Sequence, residues 1–319
     1  MPRAVRKILL IVLAIVVLGI AAAYVAIEQV LPYSVIKPHR ITREELVTFV
    51  HGDPTPELFG LRADPLDITV DDSITLRGWF IHADSSRPFG TVAILHGFAS
   101  CKEAMLPRAR TFARAGFNCI LFDLRAHGES GGQYCTFGYC EKNDVRRIMD
   151  SAVARFGPDI GPVAVMGSSL GAAVALQTME TDQRICCGVV ESPFATLREF
   201  VFDDIMQRRV LGVRQVSDMV LRRAAEIAGF PADSIRPEES ARHVAQPVLV
   251  IHGLLDKHIS PEYGTRVYQN LPSIHKEWLP FAQANQYTIA SVGGDEYKRQ
   301  TIAFLRQYMR ECDKRRRPD

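Results

Sequence analysis

Short apolar runs alternate with helical patterns along most of the chain from residue 91 onward. Continuous apolar segments bounded by glycine, proline or polar residues are typical of buried strands. Such segments occupy residues 91–95, 117–122, 162–166, 187–191, 247–251 and 277–281. Helical patterns occupy residues 103–115, 142–156, 170–176, 261–270 and 296–309. This alternation predicts an α/β fold with a mostly parallel central sheet flanked by helices.

Two stretches depart from this alternation. Residues 66–83 alternate polar and apolar positions around Asp71 and Asp72, which predicts a hairpin before the parallel strands. Residues 194–244 carry helical patterns without a strand, and an insertion at strand ends is expected to form a lid over a site. The apolar residues of this insertion could equally pack against the core.

The patterns also predict how the chain is divided. We expect an apolar N-terminal segment at residues 1–30, a connector at 31–60, a main domain at 61–312 with the lid, and a basic tail at 313–319. The connector is rich in proline and contains one short helical pattern at residues 43–50. It offers no candidate chemistry.

Residues 8–27 contain no charged side chain and are long enough to cross a bilayer as a helix. Arg3, Arg6 and Lys7 precede this stretch, so we expect a membrane anchor with the N-terminus in the cytoplasm and the domain outside. A cleaved signal peptide is the alternative, because the alanines at 21–23 could form a cleavage site. The domain would then be secreted.

Charge and cysteine content narrow the choice of partners. The formal net charge of +2 argues against a nucleic-acid partner, and the basic tail is most simply a solvated end. The seven cysteines show no spacing typical of a metal site. Cys135 and Cys140 are the pair expected to form a disulfide if the domain faces an oxidising compartment.

The sequence GSSLG at residues 167–171 stands between a predicted strand and a predicted helix. It fits the pattern G-x-S-x-G with Ser169 at its centre. A chain that turns from strand to helix at one residue is strained there, and Gly167 and Gly171 leave room for the turn. A serine in this place presents its hydroxyl beside the first amides of the helix, which predicts a nucleophile. A serine that only caps the helix is the alternative.

Other polar residues end predicted strands and should gather at the same edge of the sheet. These residues are His96, Asp123, Glu191 and Asp256. The amide of Phe98, after His96, is expected to form an oxyanion hole with the amide of Leu170. His96 itself is expected to organise the loop by hydrogen bonding.

Five segments together resemble the α/β-hydrolase family. They are HGFAS at 96–100, RAHGESGG at 125–132, GSSLG at 167–171, ESPF at 191–194 and HGLLD at 252–256. The chain resembles in particular the lysophospholipase-like esterases and serine aminopeptidase-like proteins, a branch that includes membrane-anchored members. The resemblance covers about residues 66–311. It implies that Ser169 is the nucleophile and that Asp256 is the acid that orients a histidine.

The histidine that this family places after the last strand is absent near Ala284. The corresponding residues 280–286 read PFAQANQ, and no histidine follows His275. His275 precedes the last strand, so it should lie far from the carboxyl ends. His258, two residues beyond Asp256, is the best substitute base, and His127 and His96 are weaker candidates.

The resemblance implies a serine hydrolase that acts on small-molecule or lipid esters through an acyl-enzyme on Ser169. The absent histidine supports the alternative of a catalytically impaired protein that binds or regulates. No metal or organic cofactor is implied. The sequence does not determine the oligomeric state.

Overall fold

The strands follow the predicted apolar runs closely. A computed structural model describes residues 2–50, 52–71, 74–207 and 214–316. Its strands are β1 (Ala63–Pro65), β2 (Ile68–Asp71), β3 (Ile74–Leu76), β4 (Gly78–Ile81), β5 (Thr91–Leu95), β6 (Asn118–Phe122), β7 (Val163–Ser168), β8 (Ile185–Glu191), β9 (Val248–Gly253) and β10 (Lys276–Phe281). The hairpin turn that we expected at Asp71 and Asp72 falls partly outside the described residues, but β2 and β3 do pair antiparallel.

Eight strands form the central sheet in the order β1-β4-β6-β5-β7-β8-β9-β10. The two strands at one edge are antiparallel, and every pair from β6 to β10 is parallel. The prediction of a mostly parallel sheet is therefore confirmed. Strand β5 lies between β6 and β7, so the chain reverses its direction of travel across the sheet at this point. Such a reversal opens a crevice at the carboxyl ends of the strands.

The helices lie between and after these strands. They are α1 (Arg3–Val25), α2 (Leu31–Ile36), α3 (Arg43–Val50), α4 (Leu106–Arg114), α5 (Glu141–Phe156), α6 (Leu170–Thr181), α7 (Leu197–Gln207), α8 (Arg214–Ala228), α9 (Pro237–Ala241), α10 (Pro261–Asn270) and α11 (Ile289–Arg316). The helical insertion, residues 194–244, contains α7, α8 and α9. The closing helix begins earlier than predicted and is kinked at Gly294, where φ is +49°.

Two hydrophobic cores lie on opposite faces of the sheet. Ala93 and Leu95 face one core together with α5, α6 and α10, whereas Val92 and Ile94 face the other together with α4 and α11. Burial on both faces explains why the strands are continuous apolar runs and do not alternate with polar residues.

The N-terminal helix is unbroken from Arg3 to Ile36. It consists of α1, a π-helical turn at Ala26–Val30 and α2. Its most apolar window has a mean hydropathy of 3.1 and is not buried against the domain, so this helix could be a membrane span or a signal sequence. Beyond this window the helix contacts the domain, because α2 packs on α8 and Ile36 is fully buried.

One disulfide bond joins Cys186 in β8 to Cys312 in α11. The prediction that Cys135 pairs with Cys140 is wrong. Cys135 is fully buried in the apolar core, and the short loop between the two cysteines is held instead by the carboxylate of Glu141. Cys186 lies where β8 is irregular, because the residues on either side of it pair with adjacent residues of β7.

Removing this disulfide should destabilise the fold. The bond joins residues 126 positions apart, and a cross-link of this length constrains the unfolded chain. We expect Cys312→Ser to lower the free energy of unfolding by about 2–5 kcal/mol in urea denaturation of the full-length protein. Dithiothreitol should cause a similar loss in the wild type and no further loss in Cys312→Ser. Cys140→Ser is the control, and a reductant effect that persists in Cys312→Ser would contradict the assignment.

Candidate active site

Ser169 lies at the sharp turn from β7 to α6. Its φ is +54° and its ψ is −115°, a region that residues other than glycine rarely adopt. A Cβ atom at Gly167 would lie 2.1 Å from the carbonyl oxygen of Gly171, and one at Gly171 would lie 2.3 Å from the carbonyl oxygen of Leu95. Because these neighbours are backbone atoms that cannot move aside, the turn requires glycine at both positions.

The loop after β5 lies directly against Ser169. A Cβ atom at Gly97 would be 3.5 Å from the Cβ of Ser169, so the chain at Phe98 passes beside the serine. The amides of Phe98 and Leu170 make no hydrogen bond to any group in the described part of the chain. Two backbone donors beside the serine are therefore available to a ligand.

His96 holds this loop in place by hydrogen bonds, as the sequence predicted. Its Nδ1 donates to the carbonyl of Gly97 at 2.8 Å, and its Nε2 accepts from the amide of Leu124 at 2.9 Å. Both ring nitrogens are thus used, and the neutral tautomer is set by these contacts. Burial lowers the pKa of His96 to about 4, so the ring is neutral near pH 7.

A buried lysine at the end of the loop after β5 forms ion pairs with carboxylates that follow β6. Lys102 Nζ contacts Glu103 and Asp123 at 2.8 Å each and Glu129 at 2.7 Å. Burial alone would lower the pKa of Lys102, but the nearby carboxylates raise it. The three carboxylates lie close enough together to hold a metal ion. The ammonium group already provides the positive charge at this point.

A cavity of about 670 Å³ lies over the carboxyl ends of the strands and includes Ser169. Phe98, Phe137 and Phe200 form much of its apolar wall. The ring of Phe98 is stacked on that of Phe137 with 5.7 Å between centroids, which orders this wall. A cavity of this size is sufficient for a small organic ligand or an acyl chain.

Asp256 follows β9 and is almost completely buried. Its Oδ1 accepts hydrogen bonds from the amides of His258 and Ile259, both at 2.9 Å. Its Oδ2 is buried and has no hydrogen-bond partner in the described part of the chain. Such a group is costly to bury, so this oxygen marks a missing partner. His252 Nε2 lies 3.8 Å away but donates to the carbonyl of Ile259 instead.

His258, the predicted substitute base, lies at the wall of the cavity. Its ring packs edge-on against Phe200 with 5.7 Å between centroids. No hydrogen bond joins this ring to Ser169 within the described residues. His127 is buried behind the loop, where its Nδ1 donates to the carbonyl of Arg125, and His275 packs against Tyr308 away from the cavity.

Gln286 and Tyr287 of the loop after β10 line the cavity. Ala284, where the histidine was expected, is fully buried in the core, and its carbonyl accepts from the amide of Leu255 at 2.8 Å. Gln286 lines the cavity, whereas Ala284 does not. The Oε1 of Gln286 is buried without a partner in the described part of the chain, and a neutral amide cannot take up a proton.

A buried charged cluster beside the serine was not foreseen from the sequence. Glu191, at the end of β8, accepts from Arg108 Nη2 at 2.6 Å and from the hydroxyl of Tyr297. Its backbone carbonyl accepts from the amide of Ser169 at 2.9 Å. Arg108 also lines the cavity. The position of Glu191 at a strand end was visible in the sequence, but its partners come from two distant helices.

Residues of the expected connector also line the cavity. Ser34, Val35, Lys37 and His39 form one wall of it. The sequence contains no motif in this segment, so only the fold could reveal this contact.

Comparisons with known proteins agree with the fold and with the motifs. Residues 86–229 match the family described as "Serine aminopeptidase, S33". The chain superimposes on the esterase Pf2001 of Pyrococcus furiosus with a TM-score of 0.70 and 25% identity, over 86% of this chain and 99% of that one. The chain therefore has the α/β-hydrolase fold, and the resemblance expected from the sequence is confirmed.

Two curated proteins illustrate this relationship. YqkD of Bacillus subtilis, an uncharacterized protein, is 26% identical over 56% of this chain and 59% of its own length. Human ABHD12B is 27% identical over 56% of this chain and 49% of its own length. The chain thus spans only about half to three fifths of these two relatives.

The buried histidines should make the protein sensitive to acid. Burial lowers the pKa of His96 from 6.5 to about 4, so the unfolded chain binds a proton below pH 6.5 that the folded chain does not. The stabilisation is complete above pH 6.5 and is lost as the pH falls towards 4. We expect a loss of about 2 kcal/mol from this residue between pH 7.5 and pH 5 in urea denaturation.

His96→Gln should remove this part of the pH dependence, whatever its effect on stability at pH 7.5. His39→Gln, which changes an exposed histidine, is the control. An equal loss of stability between the two pH values in the wild type and in His96→Gln would be evidence against the buried neutral ring.

Proposed function

We propose that the protein is a serine hydrolase of carboxylic esters in which Ser169 attacks the acyl carbonyl and carries the acyl group. The observation that carries this proposal is the strained Ser169 turn, which lies on the wall of a cavity with a partly aromatic lining, beside two unpaired amides. The amides of Phe98 and Leu170 would stabilise the negative charge on the carbonyl oxygen as the tetrahedral intermediate forms.

This mechanism requires a general base that accepts the proton of Ser169. The proton of the Ser169 hydroxyl must be taken up as the oxygen attacks, and Gln286 cannot do this. Loss of one member of a serine triad lowers turnover by about four to six orders of magnitude. We therefore propose that the wild type is slow, with His258 or a water molecule as the acceptor of the proton.

The second candidate function is the binding of acyl compounds without hydrolysis. The observation that favours it is the pair of unsatisfied groups, Asp256 Oδ2 and Gln286 Oε1, where an active enzyme would hold a histidine. In either case the ligand would lie among the aromatic side chains of the cavity. The helical insertion contributes Phe200, Val201 and Asp204 to this wall, and we propose that it acts as a lid.

Gln286→His should create an active hydrolase. The loop that carries Gln286 is hydrogen-bonded to Leu254 and Leu255, immediately before Asp256, so a histidine at 286 could reach the unsatisfied Oδ2. We expect kcat for p-nitrophenyl butyrate to rise at least about 100-fold above the wild type in the full-length protein. Ala284→His is the matched control, and it should only destabilise the core.

Ser169→Ala and labelling with a fluorophosphonate complete the test. Turnover in the wild type that Ser169→Ala abolishes would support a working hydrolase. An inert wild type with an active Gln286→His variant would support the binding role. If a folded Gln286→His variant is neither active nor labelled at Ser169, the assignment of the nucleophile is wrong.

We also propose that α1 spans a membrane with the N-terminus in the cytoplasm and the domain outside. Arg3, Arg6 and Lys7 before the apolar stretch support this orientation. The disulfide between Cys186 and Cys312 supports it independently, because such bonds persist in oxidising compartments.

Protease treatment of intact spheroplasts tests this orientation. In a bacterial host that expresses the full chain with a C-terminal tag, we expect the protein in the membrane fraction and the domain degraded from outside. A cytoplasmic protein must stay intact as the control. A domain protected until detergent is added would contradict the proposal, and a shortened soluble protein would indicate cleavage of a signal sequence.

A further inference from the structure

The segment between the apolar helix and the domain is part of the cavity. We call residues 34–39 the cavity strap. They begin within α2, which follows α1 and the π-helical turn. Ile36 is fully buried, and its carbonyl accepts from the amide of Cys135 at 2.8 Å. On the other side, Glu28 lies 3.5 Å from Arg223 of α8. These contacts fix the cavity strap to the domain, where it forms one wall of the cavity.

Arg40 fixes the other end of the cavity strap. Its guanidinium donates to the carbonyls of Gly128 at 2.6 Å, Ser130 at 2.7 Å and Gly132 at 2.9 Å, and more weakly to that of His127. A guanidinium can bind several carbonyls at once because its N–H donors have a fixed, planar arrangement. The strap therefore has a defined position relative to the loop after β6.

The wall of the cavity combines the aromatic side chains with polar residues, and the cavity strap adds a lysine to it. Lys37 is exposed and has no carboxylate within ion-pair distance in the described part of the chain. The other basic groups on the wall have partners, because Arg108 contacts Glu191, His39 contacts Glu45, and His258 packs against Phe200 and has a further contact. Asp204, the acidic residue on the wall, also has an interaction partner. The unpaired charge on this wall is therefore positive.

We propose that the cavity binds amphiphilic acyl compounds with an anionic head group, and that Lys37 binds this head group while the acyl chain lies among the phenylalanines. The inference rests on the proposed function for the reaction, in which such a compound would be the ester substrate. The binding itself requires only the cavity and the strap. An exposed ion pair is weak, so we expect Lys37 to contribute about two- to fivefold in affinity.

Calorimetric titration of the full-length protein in phosphatidylcholine nanodiscs tests this inference. The probes are octyl phosphate and octyl phosphocholine, which have the same chain, and empty nanodiscs provide the blank. We expect octyl phosphate to bind the wild type about two- to fivefold more tightly than octyl phosphocholine. Lys37→Met should remove this preference, and Lys37→Glu should reverse it. Lys314→Glu, the same charge reversal at an exposed site in α11, should leave it unchanged.

Two further variants locate the ligand and separate the two proposals. Ala104→Trp adds bulk to the cavity wall and should weaken both probes equally. Ser169→Ala should bind both probes as the wild type does, so a failure of catalysis would leave the binding result intact. Equal affinities for the two probes in the wild type, a preference that survives Lys37→Glu, or binding unaffected by Ala104→Trp would each overturn the inference.

Discussion

The close approach of three backbone segments at the ends of β5 and β7 is the constraint on which the rest of the site depends. The start of α6 lies against the carbonyls of Leu95 and His96, with no space for a side chain at Gly171. Gly167 is equally crowded by the same helix. This contact forces Ser169 into its left-handed conformation and places the loop of Phe98 beside it. The order of the strands explains the contact, because β5 and β7 are neighbours at the point where the chain reverses direction.

Buried charges around this contact are matched locally. Lys102 neutralises carboxylates on one side of the loop after β5, and Arg108 neutralises Glu191 on the other. Charges removed from water are costly unless they are paired, so these contacts also specify how the loops pack. Asp256 is the exception, since one of its oxygens has no partner among the described residues. The amide of Gln286, on the wall of the cavity, likewise has an oxygen without a hydrogen-bond partner among these residues.

Local signals in the sequence were sufficient for most of the helices and strands. The strand at Thr91–Leu95 and the helix at Pro261–Asn270 were predicted with their observed bounds, because glycine, proline and polar residues mark their ends. Long-range contacts were not predictable in the same way. Cys186 and Cys312 are joined across 126 positions, and no spacing rule connects them. That Gln286 lines the cavity and Ala284 does not depends on how the loop after β10 turns, which the sequence pattern does not encode.

The unbroken helix from Arg3 to Ile36 has a consequence for how the site would meet its ligands. With residues 8–27 in a bilayer, the rise of about 1.5 Å per residue places Ser34 only about 10 Å beyond the hydrocarbon. The helix continues into the cavity wall, and Ile36 and Arg40 beyond it contact the domain, so the domain would stay close to the lipid surface. The cavity would be held at one height and in one orientation. Its occupancy would then follow the surface density of amphiphiles in the adjacent leaflet and depend little on their concentration in the surrounding water.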